Sequence, residues 1–445
     1  MELNGKRVMV IGLGISGRAA ARFLASRGAS LVMTDLRADV ARGDLPAGEV
    51  RLGAEDPAWL GGVDFVVASP GVPRTSVLMG AARAQRIPII GELELGSRFV
   101  SAPMVAITGT NGKSTVTVLI GEIFKAAGMK TFVGGNLGTP LVDAADGDYD
   151  VAVIEVSSYQ LELIETFRPR VGVHLNLTDD HFDRYRDLDE YGEAKARLFE
   201  NQDGNDWAIL NREDARVWKL AGEVRARVFS FGFERPAIFA KDAARAIWCD
   251  GGQLVFDDGN RSGGIAFGGL RLPGRHNLLN AMASAAAALA MGVAPGTIER
   301  AFAGFAGLPH RTEFVRDKDG VRYVDDSKGT NVGAVVEALA ATHGPVILIA
   351  GGVDKGGDYG PLRAPLKEKV RLLILIGAAR EKMRAALDGA TAIETAPALA
   401  EAVGIAAANA RRGDTVMLSP ACSSFDQFKD YAERGRVFQE LVRAL

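Results

Sequence analysis

Apolar residues in this chain fall into short runs that end in glycine-rich turns, and most turns lead into segments of helical spacing. The first run, residues 8–11, meets Gly12-Leu13-Gly14-Ile15-Ser16-Gly17; a helix over 18–26 and a strand over 31–34 follow. Further strands are expected at 63–68, 87–90, 104–107, 151–156 and 171–177, and later at 346–350, 372–376 and 415–418. Runs such as 151–156 are nearly continuous rather than alternating, as a parallel sheet covered on both faces demands. Val116, Leu119, Ile120, Ile123 and Phe124 mark one helix, and Tyr191, Lys195 and Phe199 share a face of another over 191–200. An Ala-rich helix covers 281–294, and another follows at 295–305. Residues 228–273 break the pattern: runs at 253–256 and 264–267 between Gly/Asp turns predict an antiparallel insertion, and Lys318-Asp319-Gly320 predicts a hairpin.

Strands alternating with helices make this an α/β protein. At 445 residues the chain exceeds one hydrophobic core. The pattern divides it into a Rossmann-like N-terminal domain (1–94), a central P-loop domain carrying the small antiparallel insertion (95–307) and a Rossmann-like C-terminal domain (308–445). Apolar content of 47% and a net charge of −3 are ordinary for a globular chain and supply no field for nucleic acid or membrane. The apolar run at the start is too short for a signal peptide, and the Ala-rich helix, interrupted by Ser284, is too short to cross a bilayer. Cys249 and Cys422 lack metal-type spacing and fit a reducing, cytoplasmic setting.

Thr108-Gly109-Thr110-Asn111-Gly112-Lys113-Ser114-Thr115 stands between a strand and a helix, where loop N–H groups and a helix N-terminus cradle phosphates. Lys113 then brings charge to the β/γ-phosphates and Ser114 a hydroxyl for Mg²⁺, although Ile107 occupies the position where the strict pattern has Gly. The bland alternative is a Gly turn with an exposed Lys, and the flanking strand and helix argue against it. Glu155 stands near a strand's carboxyl end, where ligand sites open, as a Mg²⁺ ligand or a salt-bridge partner. His181 follows another strand, within Thr178-Asp179-Asp180-His181-Phe182-Asp183, as a ligand or a hydrogen-bonded loop residue. Lys195 faces the core edge, open to an ion pair, covalent modification or simple snorkelling. Near the start, G-x-G-x-x-G with Asp35 18 residues beyond Gly17 is a dinucleotide fingerprint. The same turn can hold other diphosphates, and a second nucleotide site on the chain favours that reading.

Taken together, these residues resemble the Mur ligase family, ATP-dependent amide-forming enzymes of peptidoglycan precursor synthesis. Thr108 to Ser114 matches the family loop T-G-T-N-G-K-[ST] and accounts for the missing first Gly. Glu155-Val156-Ser157-Ser158-Tyr159-Gln160-Leu161-Glu162, residues 175–185, Asp326-Ser327-Lys328, residues 419–428, Gly12 to Gly17 and Ser69-Pro70-Gly71 resemble its D-glutamate-adding branch. The likeness runs through essentially the whole chain. It implies ATP, UDP-N-acetylmuramoyl-L-alanine and D-glutamate as substrates, two Mg²⁺ ions, no nucleic-acid or membrane partner, and a monomer.

The resemblance also assigns roles. Gly14, Ile15, Ser16, Leu36, Arg37 and Gly71 would hold the uridine diphosphate, with Asn136 and His181 on the rest of the sugar nucleotide. ATP would lie on Gly109, Thr110, Asn111, Gly112, Lys113, Ser114 and Thr115, with Asn277, Asn280, Arg311 and Asp326 placing the adenosine and γ-phosphate. Ser114 and Glu155 would bind one Mg²⁺, His181 and a carbamylated Lys195 the second, so that Lys113, His181 and Lys195 form the catalytic set. Lys328, Thr330, Lys355, Ser424, Phe425 and Tyr431 match the amino-acid pocket; relatives often carry Leu and Phe where Phe425 and Tyr431 stand. The implied chemistry turns a carboxylate, a poor acyl donor, into an acyl phosphate that an amine attacks. Two other classes fit parts of the chain. An NAD-dependent oxidoreductase rests on Gly12 to Gly17 with Asp35, and a nucleotide-switch protein rests on the phosphate loop.

Overall fold

The computed structural model describes residues 1–236, 245–270 and 274–445, which form three sheets in succession. The first contains β1 (Arg7–Ile11), β2 (Ser30–Asp35), β3 (Glu49–Leu52), β4 (Phe65–Ala68) and β5 (Ile89–Gly91), all parallel, in the order β3-β2-β1-β4-β5. The order reverses between β1 and β4, opening a crevice at the strand ends where the Gly12 to Gly17 turn lies. Only glycine fits at 17, because a Cβ there would lie 1.8 Å from the Gly12 carbonyl oxygen.

The central sheet contains β6 (Met104–Thr108), β7 (Thr131–Gly135), β8 (Val151–Glu155), β9 (Val171–His174), β10 (Trp207–Asn211), β11 (Arg227–Phe231), β12 (Ala246–Asp250), β13 (Gln253–Asp257) and β14 (Ser262–Ala266). Its order is β14-β13-β12-β11-β10-β9-β6-β8-β7. The antiparallel part is smaller than the sequence pattern predicts: β11 pairs in parallel with β10 and β12 in parallel with β11, leaving only β12 to β14 antiparallel. Gly251 and Gly252, at φ 56° and 79°, make the tight turn joining β12 to β13. Residues 237–244 and 271–273 of the expected insertion lie outside the described residues. One face of the sheet packs Ile107 and Val173 against the loop helix Lys113–Ala126 and the Ala-rich helix Arg275–Ala290; the other packs Ala106 and Ile154 against Tyr191 and Phe199.

Several expected elements change at their ends: the Ala-rich helix expected over 281–294 spans Arg275–Ala290, the helix expected over 18–26 starts at Ile15, and the strand expected over 63–68 starts at Phe65. The strand expected over 171–177 stops at His174, because Leu175 to Thr178 turn to brace the phosphate loop. The helix expected over 191–200 begins at Leu188, capped by the Asp187 carboxylate on the Glu190 N–H, and tightens into a 3₁₀ turn at Arg197–Phe199.

The last sheet contains β15 (Glu313–Lys318), β16 (Val321–Asp325), β17 (Val346–Gly351), β18 (Val370–Ile376), β19 (Ala392–Thr395) and β20 (Thr415–Leu418), ordered β15-β16-β20-β17-β18-β19 and parallel apart from the β15–β16 hairpin. A short helix, Glu92–Ser97, links the first sheet to the second. It is pinned by two buried carboxylates: Glu94 accepts the Glu165 and Phe167 N–H groups at 2.9 Å, and Glu92 accepts that of Val142 at 2.9 Å. Among the described residues, no helix is long and apolar enough to cross a membrane.

Candidate active site

β6 runs into the phosphate loop, where Gly109 (φ 141°) and Gly112 (φ 86°) make the turn that starts the loop helix. A Cβ on Gly109 would lie 2.9 Å from Leu175 Cβ, and one on Gly112 2.4 Å from Asn280 Oδ1, so neither position admits a side chain. Asn176 splints the loop: its Oδ1 accepts the Asn111 N–H at 2.8 Å and its Nδ2 donates to the Asn111 carbonyl at 3.0 Å. Lys113 Nζ turns back to donate to the Gly109 and Thr110 carbonyls at 2.9 and 2.8 Å. Burial pushes this ammonium below its usual range, against the pull of Glu155 and Asp180.

Glu155 ends β8 beside that lysine. Asn136 Nδ2 donates to its Oε1 at 2.7 Å, while its buried Oε2 has no hydrogen-bond partner among the described residues. Burial alone would raise this carboxyl, but Lys113, Ser114 and Asn136 hold it below the usual carboxylate range. A buried, ionised oxygen left open beside the Ser114 hydroxyl is a donor set suited to a hard cation. Asn136, expected on the sugar nucleotide, therefore also orients Glu155.

His181 adopts a left-handed conformation (φ 59°), its Nδ1 2.9 Å from the Tyr159 hydroxyl and its Nε2 3.7 Å from Asp180 Oδ2. Burial pushes its pKa down to about 4, so the ring is neutral at pH 7 and one nitrogen is free to accept. Lys195, fully buried, donates to the Gly109 carbonyl at 2.9 Å with its Nζ 4.4 Å from the centre of the Tyr191 ring. Burial and nearby Lys113 push its ammonium well below the ordinary lysine range. The Lys195 ammonium thus meets the phosphate loop itself.

A cavity of 760 Å³ opens between the central and last sheets, lined by Asn111, Gly112, Thr115, Asn277, Asn280 and Arg311, with Asp326, Thr330 and Lys355 on its far wall. Arg311 donates toward Ser114 Oγ at 3.4 Å. Asp326 accepts from Ser419 Oγ at 2.6 Å and from the Thr312 N–H at 3.1 Å, and burial pushes its carboxyl up to about 6. Lys328 lies 3.8 Å from the centre of the Tyr431 ring, its ammonium lowered to about 8 by burial and by Arg311. Lys355 Nζ reaches Thr330 Oγ1 and Asp180 Oδ1, each at 3.4 Å. Ser424 is buried, whereas the Phe425 ring is 73% exposed and stands apart from these contacts.

At the first sheet, Gly14 caps the helix Ile15–Ser26, and Ile15 and Leu36 expose 69% and 56% of their surface. Gly71 and Arg37 border the same strand ends. Asp35 is already engaged: it accepts the Leu13 N–H at 2.8 Å and both Arg37 Nε and Nη2 at 3.0 and 2.8 Å, which holds its carboxyl down at about 2. The Ser69 to Val72 loop is tied to the central sheet by Arg184, which donates to the Val72 carbonyl at 3.1 Å and to Glu162 Oε2 at 2.6 Å.

Several contributors carry no motif of their own. His310 Nδ1 lies 2.6 Å from Asp325 Oδ2, and Gln439 Nε2 donates to Asp325 and Glu313 at 2.8 and 3.0 Å, fixing the turn that carries Arg311. Buried Arg434 donates to the Ser327 carbonyl at 2.9 Å behind Lys328. Arg434 sits three residues beyond Tyr431 in a helix whose amphipathic spacing does not distinguish it from a surface charge.

The family model for the Mur ligase MurD-like N-terminal domain matches residues 6–91, that for the Mur ligase middle domain 107–288, and that for the Mur ligase glutamate ligase domain 310–422. The chain belongs to the Mur ligase family. A UDP-N-acetylmuramoylalanine–D-glutamate ligase of Geotalea daltonii is 46% identical, and one of Geobacter metallireducens 47% identical, each over 100% of this chain and 99% of the relative. Among solved structures, UDP-N-acetylmuramate-alanine ligase from Thermotoga maritima matches with a TM-score of 0.63 at 18% identity, over 98% of this chain and 99% of that one. A pseudomurein peptide ligase from Methanothermus fervidus matches at 0.63 and 19%, over 99% and 100%. These structures share the Mur ligase fold, and the sequence relatives match along the whole length of the chain.

Proposed function

We propose that this Mur ligase joins D-glutamate to UDP-N-acetylmuramoyl-L-alanine at the expense of ATP, as a cytoplasmic monomer in peptidoglycan precursor synthesis. The observation that carries the reading is the full-length likeness, 46–47% identical, to relatives named for that reaction. In this reading residues 1–94 hold the sugar nucleotide, 95–307 the ATP and 308–445 the amino acid. The exposed Ile15 and Leu36 side chains supply apolar surface for a base. The engaged Asp35 lacks the open acceptor that a dinucleotide ribose requires, which disfavours NAD.

The alanyl carboxylate attacks the γ-phosphorus of ATP, ADP leaves, and an acyl phosphate forms. The glutamate amine then attacks the acyl carbon; the C–N bond forms, the C–O bond to phosphate breaks, and the amine sheds a proton. Lys113 exchanges its two loop carbonyls for the phosphate chain and offsets charge on the transferring group. Arg311 adds a second positive group from across the cavity. Lys328 and Lys355 attract the carboxylates of the incoming amino acid, and closure of the cavity keeps water from the acyl phosphate.

The open Glu155 Oε2 beside Ser114 supports one Mg²⁺ site, and in this reading His181 with a carbamate on Lys195 would hold a second. Bound there, the ions would neutralise negative charge on the phosphoryl oxygens. An ammonium has no acceptor for a cation, whereas a carbamate offers oxygens. The desolvated amine of Lys195 adds to CO₂ with formation of an N–C bond and release of a proton to solvent.

Phosphate release by the purified protein, measured with ATP, Mg²⁺ and UDP-N-acetylmuramoyl-L-alanine against a panel of amino acids, tests the reading. Turnover that depends on D-glutamate and on the uridine nucleotide is expected. Turnover indifferent to either, or selective for another amino acid, overturns it.

A further inference from the structure

We propose that Asn331 is a positioning residue that ties the phosphate loop and Asp180 together when the amino-acid domain closes over ATP; this rests on the ligase reading above. Asn331 precedes the helix Val332–Ala341 on the last sheet's side of the cavity. Its amide is used across three elements. Oδ1 accepts the Ala334 N–H at 2.9 Å and caps the helix. Nδ2 donates to Asn111 Oδ1 in the phosphate loop at 3.0 Å and to Asp180 Oδ2 at 3.3 Å.

The two receiving groups belong to the central sheet, and each sits beside chemistry. Asn111 is held by Asn176 two residues before Lys113, and Asp180 immediately precedes His181. Lys355, also from the last domain, reaches the other oxygen of Asp180 at 3.4 Å. The approach is close: a Cβ on Gly333 would lie 3.3 Å from Asn111 Nδ2 and 3.4 Å from Thr178 Oγ1. Asn331 and Asp180 are each 9% exposed, and a hydrogen bond to a carboxylate is stronger where water is excluded.

A primary amide is suited to this junction because it combines one acceptor with two donors. Ser and Asp cap helices as well as Asn does but cannot supply both donors. Movement of the last domain away from the central one withdraws both donors at once. Its return fixes the loop and the Asp180–His181 corner in one step, so the geometry around the γ-phosphate depends on closure.

The test is a double-mutant cycle on the full chain with Asn331→Ser, Asn111→Ala and the combined variant. Because Ser retains the cap, Asn331→Ser should melt within a few degrees of the parent. It should lower kcat about tenfold while leaving the KM for the UDP-sugar within about twofold, since the uridine diphosphate that anchors this substrate is held at the first sheet, away from Asn331. Adding Asn111→Ala should then cost little more, because both changes break the same hydrogen bond. Near-normal kcat in Asn331→Ser, or losses that simply multiply, overturns the proposal and leaves Asn331 a helix cap. If Asn331→Ser does not fold, Asn331→Asp retains the cap and sets a second carboxylate against Asp180. A folded Asn331→Asp with near-normal kcat overturns the proposal equally. Absence of D-glutamate-dependent turnover in the parent protein would instead sink the ligase reading, so the two failures are distinct.

Discussion

Lys195 Nζ donates to the Gly109 carbonyl oxygen at 2.9 Å, placing a buried lysine from one helix against the first residue of the phosphate loop. The nearest carboxylates acting on it, Asp180 and Glu155, oppose the effect of burial without overcoming it. A lysine so placed is poorly stabilised as a cation, and the carbamate proposed above would turn it into a metal ligand.

Lys195→Ala is therefore expected to lose most activity, and acetate or formate to restore part of it by entering the vacated space as a substitute ligand. Steady-state turnover with and without the short acid measures this. Near-normal turnover of Lys195→Ala in the absence of any acid would show the lysine to be structural.

Lys113→Ala should abolish acyl-phosphate formation while leaving the affinity for the uridine nucleotide within about twofold of the parent. Lys113 opens the central loop helix, whereas the glycine turn after β1 lies on a separate sheet. Calorimetric titration with the UDP-sugar, beside a phosphate-release assay, separates the two effects. A large loss of UDP-sugar affinity in a folded variant would contradict this division of labour.

The phosphate loop was legible because its glycines, Lys113 and Ser114 are contiguous and their flanking strand and helix announce themselves by apolar spacing. The parallel sheets were legible for the same reason. What escaped was long-range: Asn331 meets Asn111 across 220 residues, and Gln439 meets Asp325 across 114. Nothing in a local window marks those partners. β11 falls within the expected antiparallel insertion yet runs parallel to β10, because a short apolar run says nothing of its direction. Direction follows from the crossover that carries the chain back beside β10. The strand from Val171 ends sooner than its apolar run, which Leu175 and Leu177 continue, because Asn176 already leaves the sheet to hold the loop.

The first sheet should prefer UDP to NAD. Asp35 accepts four hydrogen bonds, one from the Leu13 N–H and three from the Arg37 backbone and guanidinium, so a ribose would have to break a bidentate ion pair to reach it. Calorimetry with UDP and NAD under the same conditions should show binding of UDP and weaker or no binding of NAD. Tighter binding of NAD would reverse the assignment of this turn.

The linker helix carries a pH-dependent strain that a single substitution should remove. Glu92 is 1% exposed; its Oε1 accepts the Val142 N–H, its Oε2 has no hydrogen-bond partner among the described residues, and burial raises its pKa from 4.5 to about 7. A carboxyl whose folded pKa is raised binds its proton more tightly in the folded state. Folding is thus favoured relative to the ionised case below about pH 4.5, and that advantage fades as pH rises through about 7. A shift from 4.5 to about 7, at 1.36 kcal/mol per unit, sets an upper bound of about 3 kcal/mol on the loss. Glu92→Gln keeps an acceptor for Val142 and cannot ionise. Its melting temperature should exceed that of the parent at pH 8, with the difference shrinking toward pH 5. Thermal melts across that range measure it, and a difference independent of pH would show that Glu92 is not the titrating group.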